Sequence, residues 1–172
     1  FRLTAGAEES PWQRVVVIGA SASSGFVLSE PFGGTNTDKC RLSHYLDAAI
    51  MAPHDPLKNL ATPLLFMSPE AIATQEIEAL TNRHPTLVVA VAFMFWFCYG
   101  EGRTDADRAA RFEYGLTLLD RVACPLLVGD IPDASLATNS GIISVTQVPS
   151  EAARATANLR LRKWAAARPN VT

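Results

Sequence analysis

The chain has 172 residues, enough for one domain with a substantial core and short for two. Hydrophobic residues make up 48% of it and charged residues 19%, a balance that excludes a disordered chain. A net charge of −2 carries no basic excess, which argues against nucleic acid as the main partner.

Residues 1–13 form a polar lead-in that ends near Pro11 and Trp12. The first strand is expected over Arg14–Gly19, because the apolar run Val15 to Ile18 is closed by the small residues Gly19-Ala20-Ser21-Ala22-Ser23-Ser24-Gly25. The loop Val27–Thr37, with Pro31, Gly33 and Gly34, is long for a strand-to-helix connection, and long loops in compact domains are often functional. A first helix follows over Asp38–Ala52, capped by Thr37 or Asp38, with Leu42, Tyr45, Leu46, Ala49 and Ile50 on its apolar face. The second strand is expected at Pro63–Met67.

Ser68-Pro69-Glu70 opens the second helix with a cap, a proline at the first position and an acid in the first turn; it runs to about Leu80. Thr86–Phe95 reads as a third strand, apolar throughout as a strand buried on both faces must be. A third helix starts at Thr104 or Asp105 and ends near Val122, and Cys124–Gly129 is the fourth strand. The fourth helix spans Ser150–Arg168, and Pro169-Asn170-Val171 has the look of entry to a fifth strand. This alternation implies an α/β/α sandwich of three layers, with a parallel sheet of four to five strands in flavodoxin-like order. The apolar run Leu87–Tyr99 is shorter than the ~20 residues that span a bilayer, so no integral membrane segment is expected. The first residue is Phe1 and nothing resembles a signal peptide, so a processed, trimmed or partial chain is expected.

Cys40, Cys98 and Cys124 are odd in number and show no Cys-x-x-Cys or Cys/His spacing, so no metal site is expected. The chemistry points to Ser21. It stands past the first strand among residues too small to cover its hydroxyl, on the carboxyl edge of the sheet where ligands of parallel α/β proteins sit. Gly19-Ala20-Ser21 with Ser23 and Gly25 resembles the nucleophile block Gly-Asp-Ser-x-Ser/Thr-x-Gly of the SGNH/GDSL hydrolases. That family has a three-layer α/β fold, and the order of elements here matches over most of the chain. The resemblance implies that Ser21 is a nucleophile whose own N–H contributes to an oxyanion hole. It implies an ester as the small-molecule substrate and requires no cofactor.

The chain departs from the family pattern at Ala20, where the block has Asp. No Asn follows the third strand, where the chain reads Phe95-Trp96-Phe97-Cys98-Tyr99-Gly100, and Ser68-Pro69-Glu70 stands where a Gly block would follow the second. The family's closing Asp-x-x-His block lies after the fifth strand, so the single domain over 1–172 is expected to lack its C-terminal strand and helix.

Among the histidines, His54 and His84 follow helices and belong on the edge opposite Ser21, which leaves His44 as the candidate base; a surface helix histidine is its plain alternative. Asp130 ends the fourth strand on the Ser21 edge and could orient a histidine or bind a polar group, or simply cap the strand; Asp133 and Glu101 have similar placements. Ser68, Trp96 and Tyr99 are the candidate substrate-binding residues, with core filling the alternative for the two aromatics. Arg154, Arg160, Arg162, Lys163 and Arg168 read as the solvated face of the last helix. The leading expectation is therefore a serine ester hydrolase. A non-catalytic relative that binds a small molecule or partner in the same cleft is the alternative. A nucleotide- or flavin-binding domain, with Ser21, Ser23 and Ser24 around a phosphate, is a third.

Overall fold

The computed structural model describes residues 9–25, 41–100 and 104–172. The expected loop Val27–Thr37, the Thr37 or Asp38 cap, Cys40 and Glu101 lie outside these. In the described residues four parallel strands are ordered β2-β1-β3-β4: β1 is Val15–Val17, β2 Lys58–Asn59, β3 Leu87–Ala90 and β4 Leu126–Val128. Residues 170–172 run parallel beside β4. Val171 pairs with Leu126, and the Leu126 N–H donates to the Asn170 carbonyl at 2.8 Å.

The helices are α1 (Ser21–Ser24), α2 (Leu42–Ala49), α3 (Pro69–Thr81), α4 (Phe95–Cys98), α5 (Asp105–Leu119) and α6 (Glu151–Ala166). Alternation along the strands sorts the core into two layers. Val15, Val17, Leu87 and Val89 face Leu42, Leu46 and Ile50 of α2. Val16, Ile18, Val88 and Ala90 face the other way, onto Ala73 and Ile77 of α3, Phe112 and Leu116 of α5, and Leu161 and Trp164 of α6. Tyr45 and Ala49, expected on the inner face of α2, are exposed instead.

Helix starts follow their side chains. Thr104 and Asp107 close a reciprocal cap on α5, and the Ser150 hydroxyl accepts the Ala153 N–H at the head of α6. Two strands differ from expectation. Pro63–Phe66 is a 3-10 turn, not a strand: Pro63 has no N–H for a ladder, and the Thr62 hydroxyl takes the Leu64 N–H. The strand beside β1 is the short edge pair Lys58–Asn59, continued by the Leu60 N–H on the Val17 carbonyl and the Thr62 N–H on the Gly19 carbonyl. The third strand stops at Ala90 rather than Phe95. There the chain turns, with the Phe93 N–H on the Ala90 carbonyl, and the aromatic run winds into α4.

The turn after β3 presses against the turn after β1. Gly19 has φ +122°, and a Cβ there would sit 2.9 Å from the Phe93 nitrogen, so only glycine fits. At the end of β4, a Cβ on Gly129 would sit 2.5 Å from the Val91 carbonyl oxygen. These close approaches pack the carboxyl ends of β1, β3 and β4 side by side.

Candidate functional site

Ser21 is the first residue of α1, reached from β1 through Ile18, Gly19 and Ala20. Ala20 is extended and offers no side-chain cap. Gly19, Ala20, Ser23, Ser24 and Gly25 are buried, whereas Ser21 is half-buried and Ala22 exposed. One hydroxyl of the three in this turn therefore reaches the surface. A phosphate cradle made of Ser21, Ser23 and Ser24 together does not fit that burial. α1 packs against the Pro63–Phe66 turn and against α2, and as the first turn of a helix it leaves its leading N–H groups without intrahelical partners.

Beneath the turn lies a carboxyl that sequence reasoning missed. Glu76 of α3 is 5% exposed, and its Oε2 accepts the Gly19 N–H at 2.8 Å. Its other oxygen, Oε1, is buried and makes no hydrogen bond among the described residues. Burial pushes this carboxyl up to about 8; the Gly19 and Thr62 amides pull the other way. The Thr62 N–H, close to this carboxyl, donates to the Gly19 carbonyl at 2.9 Å. A signal existed: Glu76 shares the inward face of α3 with Ala73, Ile77 and Leu80, a position where an acid is out of place.

His44 is on α2, the helix packed against α1, but it is exposed, while Leu42 and Leu46 on either side of it face the sheet. Its ring makes no hydrogen bond or ion pair among the described residues. His54 and His84 lie by the start of β1: the Asp55 N–H donates to the Gln13 carbonyl, and Arg14 Nε donates to the His84 carbonyl at 2.7 Å. Among the described residues no histidine is bonded to Ser21.

Asp130 follows β4 at the same edge as Ser21, is exposed, and pairs with Arg162 of α6, whose Nε lies 3.3 Å from Oδ1. Asp133 accepts the Ser135 N–H at 3.0 Å and is held below the usual carboxylate range chiefly by that bond. Arg154 lies 3.7 Å away.

The aromatics are committed to packing. Tyr99 is fully buried, stacked on Phe95 with centroids 4.2 Å apart; its hydroxyl donates to the Pro132 carbonyl and accepts the Ala134 N–H. It thereby ties the segment after β3 to the loop after β4. Trp96 is 7% exposed, edge-on to Phe95 and 5.8 Å from the exposed ring of Phe66. Ser68 precedes α3, exposed and with no cap bond from its side chain, in a cleft of about 410 Å³ with Phe66, Met67, Glu70, Arg111 and Gln147. It does not follow the second strand as expected, because that strand lies earlier.

Arg108 anchors the rest of the rim. Its buried guanidinium donates to the carbonyls of Gly100, Gln147 and Thr146 at 2.8 to 3.1 Å. Burial pushes the Cys98 thiol up to about 11 against the pull of Arg108, so it is not a thiolate nucleophile at neutral pH. Among the described residues no group of three His, Cys, Asp or Glu side chains could hold a metal ion, and no helix is long and apolar enough to cross a membrane. No family model, curated protein or solved structure matches the chain.

Proposed function

We propose that this protein is a serine ester hydrolase of the SGNH/GDSL type, with Ser21 as nucleophile and a small-molecule ester as substrate. One observation carries the reading: a single half-buried serine hydroxyl begins a helix at the carboxyl edge of a parallel sheet, in a turn whose other two serines, Ser23 and Ser24, are buried. The sheet order, with residues 170–172 continuing it beside β4, suits the α/β/α sandwich of that family. Ser21 Oγ attacks the ester carbonyl, its proton passes to a base, and the alcohol leaves as the acyl-serine forms; water then releases the acid. The oxyanion donors on this reading are the leading N–H groups of α1, those of Ser21 and Ala22.

A second reading, a binding domain of the same fold without turnover, is favoured by the histidine positions. His44 stands on the solvent side of α2, and Asp130 is engaged by Arg162. A fluorophosphonate probe separates the two. Displacement of fluoride by Ser21 Oγ adds the phosphonyl group to the peptide containing residue 21, and Ser21→Ala abolishes the adduct. A wild-type protein that stays unlabelled, with any ester cleavage surviving in Ser21→Ala, rejects the hydrolase.

A further inference from the structure

We propose that Glu76 is a positioning residue for Ser21, its buried carboxyl holding the Gly19 amide and so fixing the peptides that aim the serine hydroxyl. The inference rests on Ser21 being the nucleophile. The geometry that carries it is a hydrogen bond between groups far apart in sequence, made in the interior. Glu76 Oε2 meets the Gly19 N–H at 2.8 Å, and the carbonyl of the same glycine is held from the other side by the Thr62 N–H at 2.9 Å. Gly19 sits at φ +122°, outside the range of ordinary residues, and the sheet ladder ends there, so its N–H needs an acceptor from elsewhere. Both peptides flanking Gly19 are thus clamped two residues before Ser21. A buried acid is a costly way to accept one hydrogen bond. That cost has a role if the direction of the turn matters more than its stability.

The carboxyl is also placed to act by charge. Above about pH 8 it ionises, and a negative charge under the turn opposes the oxyanion that forms over the amides of α1. The elements packed on α3 bring few ionisable groups near it. The Pro63–Phe66 turn carries none. α4 carries Cys98, itself neutral to about pH 11. From α5, Tyr114 bonds Thr74 at 3.1 Å, and Arg111 shares the cleft at the start of α3; on α3 itself, Glu70 and Glu78 are exposed.

The test is the rate of fluorophosphonate labelling at Ser21 from pH 6 to pH 10, in the wild type, Glu76→Gln and Glu76→Leu, each verified as folded by circular dichroism. Glu76→Gln keeps an acceptor for the Gly19 N–H and loses the charge. Its rate stays within about twofold of wild type at pH 7, and the ratio of its rate to wild type rises at least fivefold through pH 8. Glu76→Leu keeps the bulk without the acceptor, and its labelling falls roughly tenfold to a hundredfold at every pH, the scale of a misaimed reacting group. If wild type labels at Ser21 and both variants match its rate and pH profile, Glu76 is packing only and the inference fails while the hydrolase stands. If none of the three is labelled, the hydrolase reading fails and takes the inference with it. If Glu76→Leu does not fold, the ratio for Glu76→Gln decides alone.

Discussion

Replacing Glu76 by Gln should stabilise the protein at alkaline pH and leave it unchanged in acid. The folded state raises this carboxyl from 4.5 to about 8, mainly by burial. A raised acid binds its proton more tightly when folded than when unfolded, so stability is greatest below the unfolded value and is lost as pH climbs from about 4.5 to about 8. At 1.36 kcal/mol per pH unit, a gap of about 3.5 units sets a ceiling of about 5 kcal/mol on the loss. That is a large share of the 5–15 kcal/mol by which domains are typically stable. Water entering beside Oε1 would reduce it, so a realistic expectation is about 2 to 4 kcal/mol. Glutamine is as neutral as the protonated acid and can accept the Gly19 N–H, so the variant lacks this slope. The assay is urea unfolding of both proteins at pH 5, 7 and 9, followed by the fluorescence of the buried Trp96 and Trp164. The difference in stability should be under 1 kcal/mol at pH 5 and should grow with pH. With a slope of about 2 kcal/mol per molar urea it reaches a midpoint shift of about 1 to 2 M at pH 9. Every other titrating group is common to both proteins and cancels. A difference that stays constant from pH 5 to pH 9 refutes the reasoning.

Two further outcomes follow from the packing of the rim. Gly19→Ala adds a Cβ 2.9 Å from the Phe93 nitrogen and 3.1 Å from the Ala92 carbonyl carbon, at φ +122°. Strain and overlap together cost on the order of 3 kcal/mol, so the Tm falls by about 6 to 12 °C; a drop under 2 °C in a thermal melt contradicts the close approach. Asp130→Asn removes an exposed charge paired with Arg162, so the Tm does not move and the labelling rate at Ser21 stays within about twofold. A hundredfold loss of labelling would instead make Asp130 part of the catalytic set.

Helices announced by their first residues were legible from the chain. Ser68-Pro69-Glu70, Thr104 and Ser150 each begin a helix within a residue of the expected start: Thr104 and Ser150 cap through their hydroxyls, whereas Ser68 makes no side-chain cap bond and Pro69 at the first position marks the start. The serine turn was legible for the same reason: a short apolar run closed by small residues has few alternatives. Strand β2 was not. Lys58 and Asn59 have no apolar pattern, and their pairing is conferred by β1; the apolar Leu64, Phe66 and Met67 that looked like a strand are exposed. The end of β3 was overrun because an apolar run does not record where a turn against Gly19 begins. Asp130 met an arginine rather than a histidine because α6 brings Arg162 back to the rim, a contact that no local pattern encodes.

On the proposed reading, the supply of oxyanion donors is the step that sets how fast the enzyme can be. Two amides of the neighbouring turns are already engaged: Thr62 N–H on the Gly19 carbonyl, and Phe93 N–H on the Ala90 carbonyl. Ser23 and Ser24 N–H both point back to the Ala20 carbonyl at 2.9 Å. Among the described residues, the leading amides of α1 at Ser21 and Ala22 are the ones left in the turn without an acceptor. A missing donor costs a factor of about 10² to 10³ in kcat in a well-characterised protease. A site that draws its donors from one helix start is therefore intolerant of small rotations of that start. The clamp on Gly19, through Glu76 on one side and Thr62 on the other, controls that rotation. An acid that is costly to bury is consistent with a turn whose few donors must keep their direction.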